Sequence, residues 1–290
     1  MRVPGLNAVT KVLNQGGRST QIGLLIIAVY AAMALLAPWI SPYNPFFSNL
    51  GEATLGPSWS HPLGTDAVGR DVLTRIFYGS QVSLTIGASA IALGIVFGTV
   101  IGLVAGYVGG VVDYFVARTV DLLLSFPYLL IAIIVVIVLG PGMVSIIIAV
   151  AIRETALLGR IMRGEVLTSK ARPYVLSARA VGASGIRIAV RHILPNAVPT
   201  VLVLGTLDIG SAILTSAALG FIGLGVQPPT PEWGTMMGSA TSYFLSDPYL
   251  MFFPGFAILF AVIGFNLLGD GLRDLLDPRF RLQVEARASI

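Results

Sequence analysis

The chain has no cysteine and little charge, and each shortage removes a class of function. Without Cys among its 290 residues, disulfides, thiolate catalysis and cysteine metal sites are excluded. Charged residues make up 11% of the sequence, whereas soluble domains carry about 25%. Over this length, so low a charge content indicates an integral membrane protein.

Lysine and histidine are also scarce. Neither Lys11 nor Lys170 follows a glycine, so the Gly-Lys-Ser/Thr of a phosphate-binding loop is missing from the sequence. His61 and His192 lie far apart and form no ligand cluster, and no nucleophile–base constellation is present. We therefore predict that the chain is not an enzyme and has no cofactor of its own. The net charge of +4 does not indicate nucleic-acid binding.

Apolar runs predict an all-α membrane protein with six transmembrane helices. The candidate spans are 22–40, 82–107, 114–139, 143–160, 197–224 and 250–269. The uncharged run 122–152 exceeds the ~20 residues that one span needs. Gly140-Pro141-Gly142 breaks this run with a turn signal, which predicts a hairpin of two spans. The first span ends in Pro38-Trp39-Ile40-Ser41-Pro42 and not in a cleavage site, so we predict a retained anchor.

The basic residues predict the orientation. With six spans, sixteen of the 18 Lys and Arg residues fall on one side, and Arg70 and Arg75 fall on the other. Because basic residues mark cytoplasmic loops, we predict that both termini and the loop 153–196 are cytoplasmic. The predicted organisation is an N-terminal part, 1–79, with the first span and an extracytoplasmic segment. A core of five spans, 80–272, and a C-terminal tail, 273–290, follow.

Glycine recurs in the second span at a spacing of four residues. The row consists of Gly94, Gly98, Gly102, Gly106 and Gly110. Small residues at this spacing let another helix backbone approach closely. Internal helix packing is favoured over a role toward substrate.

Two segments outside the predicted spans are long enough to fold. In 41–81, Asp66/Arg70 and Asp71/Arg75 are spaced i,i+4, which predicts a short surface helix. In 225–249, which has no Lys or Arg, the prolines at 228, 229 and 231 predict an extended path.

Residues 165–196, which we call the basic element, predict two short amphipathic helices at an angle along the cytoplasmic face. Pro173 suits the start of the first helix, whose predicted apolar face holds Tyr174, Ala178 and Val181. The second helix has the predicted stripe Ile186, Ala189, Val190 and Ile193, and Pro195 is expected to end it.

The basic element has two interpretations. It can rest on anionic lipid as an ordinary basic loop, or it can dock into a partner. Small residues at its bend favour docking, because a lipid-facing helix more often carries bulky side chains. They are Ser177, Ala178, Gly182, Ala183, Ser184 and Gly185.

Polar residues inside the predicted spans are further candidates. Asp208 lies in the fifth span, where a carboxylate is costly and faces a cavity or a partner. We predict that Asp208, Ser211 and Thr215 line a translocation pathway. The alternative for Asp208, which the sequence supports equally, is a structural role in a hydrogen bond between helices or in a pair with a residue of a partner chain. Arg118 and Asp121, one turn apart, are predicted to pair.

The basic element resembles the cytoplasmic signature of the inner-membrane permease subunits of ABC importers. It is most similar to the second permease of dipeptide, oligopeptide and nickel systems. The signature reads Glu-Ala-Ala, three residues, Gly, nine residues, Ile, one residue, Leu-Pro. The matching positions are Leu176-Ser177-Ala178, Gly182 and Leu194-Pro195, while Leu176, Ser177 and His192 differ from the family residue. Other segments resemble the same subgroup, among them His61 to Asp66, Leu124 to Pro127, Leu219 to Gly234 and Gly269 to Asp274.

The resemblance implies a type I ABC importer permease fold in the inner membrane. It also implies partners: a second permease, two cytoplasmic ATPases that bind ATP and Mg, and an extracytoplasmic solute-binding protein. The implied ATPase-coupling residues are Tyr174, Leu176, Ser177, Ala178, Gly182, Ala183, Ser184, Arg191, Leu194 and Pro195.

The substrate stays open among dipeptides, longer peptides, glutathione, nickel complexes and oligosaccharides. The alternative from another class is a secondary transporter or channel that works without ATPases. It predicts inverted repeats and interrupted helices at the midplane, and the two halves show no convincing repeat. A membrane scaffold without transport is a third interpretation.

Overall fold

The computed structural model describes residues 17–276, and the regular secondary structure of this part is helical apart from one isolated β-bridge between Thr65 and Asp71. Its helices are α1 (Arg18–Ile40), α2 (Val72–Val108), α3 (Gly110–Ser125), α4 (Tyr128–Leu139), α5 (Met143–Lys170), α6 (Pro173–Ala180), α7 (Gly185–Phe221), α8 (Trp233–Ser239) and α9 (Tyr249–Leu276). Single 3-10 turns lie at Leu50–Glu52 and Thr241–Tyr243. Most of both predicted tails, 1–16 and 277–290, lies outside the described residues.

Four helices of the described part, α1, α2, α7 and α9, are long and apolar enough to cross a membrane. The pair α3 and α4 makes a fifth if the two form one span. The predicted fourth span lies within α5, where Arg153, Glu154 and Arg160 make the helix more charged than the others. The break predicted at 140–142 is confirmed, since α4 ends at Leu139 and α5 begins at Met143.

The predicted third span, 114–139, is not one straight helix. Helices α3 and α4 meet at 96° across Phe126 and Pro127. Proline lacks an N–H and disfavours helical backbone at the residue before it. Phe126 is accordingly extended, with ψ 146.

Helices α2 and α5 run side by side in the same direction, and the glycine row is their contact. At successive turns, Gly94, Gly98, Gly102 and Gly106 of α2 contact Glu154, Gly159, Met162 and Val166 of α5. The predicted packing role is therefore confirmed for these four glycines. Gly110 lies beyond the end of α2, and a Cβ added there would meet no other atom within 4 Å.

The remaining long helices close the bundle around α2. Helix α7 runs in the opposite direction to α2, with Gly205 against Ile95 and Gly87 against Ile213. Helices α1 and α9 pack closely where Gly23 meets Gly264. The Tyr30 hydroxyl of α1 donates a hydrogen bond to the Ala257 carbonyl of α9 at 2.9 Å.

The loop 41–71 packs beside the segment 225–249 at the N-terminal end of α2. Arg75, buried in the first turn of α2, joins them by donating to the carbonyls of Pro45 at 2.9 Å and Pro229 at 3.1 Å. The predicted Asp66–Arg70 pair is confirmed at 2.7 Å.

The predicted pair Asp71–Arg75 and the predicted surface helix are wrong. Helix α2 begins at Val72, so Asp71 stands at its N-cap and accepts from the Thr74 amide at 2.7 Å. The other Asp71 carboxylate oxygen lies 3.0 Å from His61 Nδ1. An N-cap carboxylate satisfies an amide that has no partner within the helix.

The segment 225–249 is not extended throughout, because it contains α8. Glu232 is the N-cap of α8 and accepts from the amides of Gly234 at 3.0 Å and Thr235 at 2.8 Å. Burial raises the pKa of the Glu232 carboxyl against the lowering effect of these hydrogen bonds. The prolines before Glu232 predicted an extended path, whereas Glu232 caps a short helix that begins directly after them.

Candidate functional site

The basic element folds as the last residues of α5, then α6, a tight turn and the beginning of α7. The turn is a Schellman motif: the Gly182 amide donates to the Arg179 carbonyl at 3.0 Å, and the Ala183 amide donates to the Ala178 carbonyl at 3.1 Å. Gly182 has φ +79, which favours glycine. The glycine of the sequence signature is therefore required by the turn itself.

The basic element is attached to the C-terminal end of α2. Lys170 Nζ donates to the carbonyls of Gly106 at 3.2 Å and Tyr107 at 2.9 Å. A helix C-terminus has carbonyls without intrahelical partners, and a cation there is favourable. A Cβ added at Gly185 would stand 3.2 Å from the Tyr107 hydroxyl, so the turn also packs closely on α2.

The second predicted helix is not a separate short helix, and Pro195 does not end it. Residues Ile188–Ile193 form a π-helix that continues without interruption into Leu194–Phe221. Pro195 follows directly after this wider turn, at the N-terminal end of the α-helical part. The Asn196 side chain donates to the His192 carbonyl at 2.7 Å.

Both predicted apolar faces are partly wrong. The buried residues are Val175, Ala178, Ile188, Ala189 and Ile193. All of them except Ala189 belong to one apolar cluster with Leu158, Met162 and Val166 of α5. Val181 is 84% exposed and Ile186 is 81% exposed. The π-helix is wider than an α-helix, with hydrogen bonds from i to i+5, so a stripe predicted with α-helical spacing does not stay on one face through Ile188–Ile193.

The unburied side chains form what we call the apolar-basic surface. It consists of exposed Tyr174, Leu176, Val181, Ile186 and Val190, with exposed Arg172, Arg179, Arg187 and Arg191 among them. Of the predicted coupling residues, Ala178 is buried and Ala183 and Leu194 are half-buried. The exposed ones are Tyr174, Leu176, Ser177, Gly182, Ser184, Arg191 and Pro195.

Ion pairs join α3 to α5 near the basic element. Arg163 of α5 makes a two-pronged pair with Asp113, the second hydrogen bond being 2.7 Å long. Arg160 Nη2 lies 2.5 Å from Asp121. The predicted pair Arg118–Asp121 is therefore wrong, and the Arg118 guanidinium lies 5.7 Å from the Tyr114 ring centroid. Asp121 therefore pairs with a residue of the neighbouring helix α5 and not with one on its own helix.

A second group of polar residues lies in the middle of the bundle, and we call it the central cluster. It consists of Tyr128, Arg153, Glu154 and Asp208. Arg153 pairs with Glu154, and its guanidinium lies 4.9 Å from the Tyr128 ring centroid. Asp208 interacts electrostatically with Arg153 and with Glu154. Tyr128 is the first residue after the α3–α4 bend, so the bend brings it to Arg153.

The three predicted pathway residues differ in exposure. Asp208 is half-buried and Ser211, one turn further along α7, is exposed. Thr215 is buried and its hydroxyl donates to the Ser211 carbonyl at 2.7 Å. The sequence reasoning missed Arg153 and Glu154 as site residues, although two adjacent charges within an apolar run were the available signal.

Residues 17–276 contain no group of three or more His, Cys, Asp or Glu that could hold a metal ion. A bundle of membrane-length helices, with polar residues at its centre and an exposed basic element at one end, is the architecture of a multi-pass membrane protein. Residues 98–282 match the family described as binding-protein-dependent transport system inner membrane component. The chain belongs to this family, and it is an inner-membrane permease subunit of an ABC importer.

More specific similarities extend over most of the chain. Residues 18–57 match the N-terminal TM domain of oligopeptide transport permease C. The chain is 42% identical over 260 residues to the dipeptide transport system permease protein DppC of Alkalihalophilus pseudofirmus, covering 90% of this chain and 86% of the relative. It is 44% identical over 261 residues to the glutathione transport system permease protein GsiD of Escherichia coli, covering 89% and 85%.

Proposed function

We propose that this permease subunit imports short peptides through a membrane pathway that it shares with a second, similar permease. The names of its relatives support this substrate class, since one is a dipeptide permease and the other a glutathione permease. Both transported compounds are small, polar and built from amino acids. The choice between them is left to an extracytoplasmic solute-binding protein that delivers the substrate.

We further propose six spans, with the charged helix α5 as the sixth member beside α1, α2, the bent pair α3–α4, α7 and α9. Both termini and the basic element then lie in the cytoplasm. The distribution of Lys and Arg supports this orientation. The close packing of α5 against the glycine row of α2 supports a span for α5, because a helix buried against protein tolerates more charge than one facing lipid.

The observation that carries the proposed mechanism is the apolar-basic surface. Its five exposed apolar side chains lie on α6, in the turn after it and at the start of α7, at the end of the bundle where α2 terminates. An exposed apolar patch of this kind marks contact with a protein or with the membrane, and the family match favours a protein partner. We propose that it seats in a cleft of one of two cytoplasmic ATPases, which bind ATP and Mg.

The attachment to α2 supports a mechanical role for this contact. Lys170 and the close approach at Gly185 join the basic element to the end of α2. When ATP-driven closure of the ATPases moves the element, α2 and the packed α5 move with it. Such rigid-body motion alternates access between the two sides of the membrane. The bend between α3 and α4 is a feature that a secondary transporter also uses, but the match to a binding-protein-dependent transport family favours the ATP-driven importer over that alternative.

The test is copurification of the ATPases with affinity-tagged permease. Val181→Asp combined with Ile186→Asp places two charges in the proposed contact, and we expect the ATPases to be lost from the purified complex. The control is Leu245→Asp, which makes the same change at an exposed leucine on the loop between α8 and α9. Full retention of the ATPases by the double variant would exclude this surface as the contact.

A further inference from the structure

We infer that the central cluster binds the ammonium group of the transported peptide as it passes through the membrane. This inference rests on the proposed function and names the chemical group that the pathway recognises. Four features carry it: the depth of the cluster, its charge, its unpartnered oxygen and its access to the surface of the chain.

The depth of the cluster follows from how the helices contact α2. Glu154 contacts Gly94, and Gly205, one turn before Asp208, contacts Ile91 and Ile95. These contacts place both acids near the middle of the 37-residue helix α2. Charged residues at that depth are costly in a membrane protein and mark pathways for substrates or ions.

The charge of the cluster is unbalanced. Glu154 and Asp208 are acidic, and Arg153 is the basic residue that acts on both within residues 17–276. When both carboxylates are ionised, one guanidinium against two carboxylates leaves a surplus of one negative charge. A cation supplied from outside the chain would restore the balance, and burying it there is favourable only when it is paired.

The cluster contains a buried hydrogen-bond acceptor that lacks a donor. The Arg153 guanidinium already meets the Glu154 carboxylate and the Tyr128 ring. Glu154 is 1% exposed, yet its Oε2 has no hydrogen-bond partner among the described residues. A buried acceptor without a donor is expensive. The cluster therefore presents a buried acceptor that suits a donor cation such as an ammonium group.

The cluster is accessible from the surface of the chain. The Arg153 side chain is 28% exposed, Asp208 is half-buried and Ser211 beside it is exposed. Phe126 and Pro127, at the bend that precedes Tyr128, are exposed as well. Irregular backbone within a membrane is tolerated only against protein or beside a water-filled cavity. Interrupted helices that meet charged side chains at mid-membrane depth form substrate sites in transporters.

Dipeptides and glutathione share a free α-ammonium group, so one acidic site can serve both. The experiment uses the complete membrane complex of two permeases and two ATPases in lipid nanodiscs, without the binding protein. Isothermal titration calorimetry compares Ala-Phe, its C-terminal amide and N-acetyl-Ala-Phe. We expect the two free-amine peptides to bind and the N-acetyl peptide to bind at least about tenfold more weakly, since a charge-assisted hydrogen bond is lost.

Variants test whether the preference for a free amine comes from the central cluster. We expect Asp208→Asn and, separately, Glu154→Gln to weaken Ala-Phe binding about tenfold and to abolish the preference for a free amine. Asp121→Asn, which removes a carboxylate from an exposed ion pair elsewhere, is the control and should leave both unchanged. Equal affinity of the blocked and free peptides for the unaltered complex would overturn the inference, and a proton or a residue of the second permease would then balance the charge.

The peptide comparison needs no variant, so it shows whether the complex recognises an ammonium group even if a substitution prevents assembly. Copurification of the ATPases with the complex reports separately on the proposed function. An assembled complex that hydrolyses ATP but does not distinguish the peptides removes the ammonium site and leaves the importer assignment intact.

Discussion

Gly98 of α2 and Gly159 of α5 face one another in a contact that is tighter from one side than from the other. A Cβ at Gly98 would stand 2.9 Å from the Gly159 amide nitrogen, whereas a Cβ at Gly159 would stand 3.5 Å from the Gly98 carbonyl oxygen. The first distance requires the backbones to separate, and the second is an ordinary van der Waals contact. The α2 side of the contact therefore needs glycine, while the α5 side accepts a methyl group.

Alanine at these two positions should accordingly have opposite results. We expect Gly98→Ala to destabilise the folded complex by roughly 1–3 kcal/mol, the usual cost of overpacking. Gly159→Ala should be neutral or slightly stabilising, because alanine favours a helix more than glycine does. Thermal denaturation of the detergent-solubilised complex, followed by size-exclusion chromatography, measures the difference. Equal losses for the two variants would contradict the asymmetry.

The features that the sequence predicts well are those that depend on composition and local spacing. The apolar runs located the long helices, the glycine row anticipated the α2–α5 contact, and Gly140-Pro141-Gly142 correctly marked the end of α4. Each of these signals acts within one or two turns of the chain. Gly182 belongs with them, because its signature position coincides with a turn that needs positive φ.

The features that were missed depend on register or on contacts between distant segments. The π-helix at Ile188–Ile193 changes which residues share a face, so α-helical spacing misassigned the buried stripe. Asp121 found its partner on α5, across a helix interface that spacing along one helix cannot reveal. The central cluster joins α4, α5 and α7, and its assembly requires the α3–α4 bend. The sequence contains Pro127, but it does not give the direction in which the chain bends there.

The absence of native cysteine allows a direct test of the proposed orientation. Ala171→Cys lies at the end of α5 beside the basic element, and Ser242→Cys lies in the turn after α8; both positions are exposed. In intact cells, a membrane-impermeant maleimide should label the Ser242→Cys permease and should label the Ala171→Cys permease only after permeabilisation. The unaltered chain, with no cysteine, supplies the blank. The reverse pattern would invert the proposed orientation.

The two ion pairs between α3 and α5 should differ in their contribution to stability. Asp113 and Arg163 are partly buried and form two hydrogen bonds, whereas Asp121 and Arg160 are about half exposed. Exposed pairs are worth about 0–1 kcal/mol, and two-pronged arginine–carboxylate pairs are stronger. We expect Asp113→Asn to lower the melting temperature of the complex and Asp121→Asn to leave it nearly unchanged.

Salt provides the control for this comparison. Because salt screens exposed charges most, raising the ionic strength should remove any remaining difference between the Asp121→Asn variant and the unaltered complex. The effect of Asp113→Asn should persist. A larger loss at Asp121 than at Asp113 would show that exposure does not decide the strength of these pairs.

Gly182 offers the sharpest test of coupling between the ATPases and transport. An added Cβ there would meet nothing within 4 Å, so a larger side chain projects from the turn into the proposed contact with the ATPase. We expect Gly182→Arg to insert normally in the membrane but to uncouple ATP hydrolysis from peptide uptake. Uptake into proteoliposomes, measured together with phosphate release, gives the ratio of peptide transported to ATP hydrolysed.

The control for this variant is Gly182→Ala, since both substitutions carry the same backbone strain at φ +79. Any loss that alanine causes measures the turn itself, and the additional loss with arginine measures the blocked contact. We expect the ratio of uptake to hydrolysis to fall at least about tenfold further for arginine than for alanine, corresponding to about 1.4 kcal/mol of lost coupling. Equal ratios for the two variants would place the role of Gly182 in the turn and not at the ATPase.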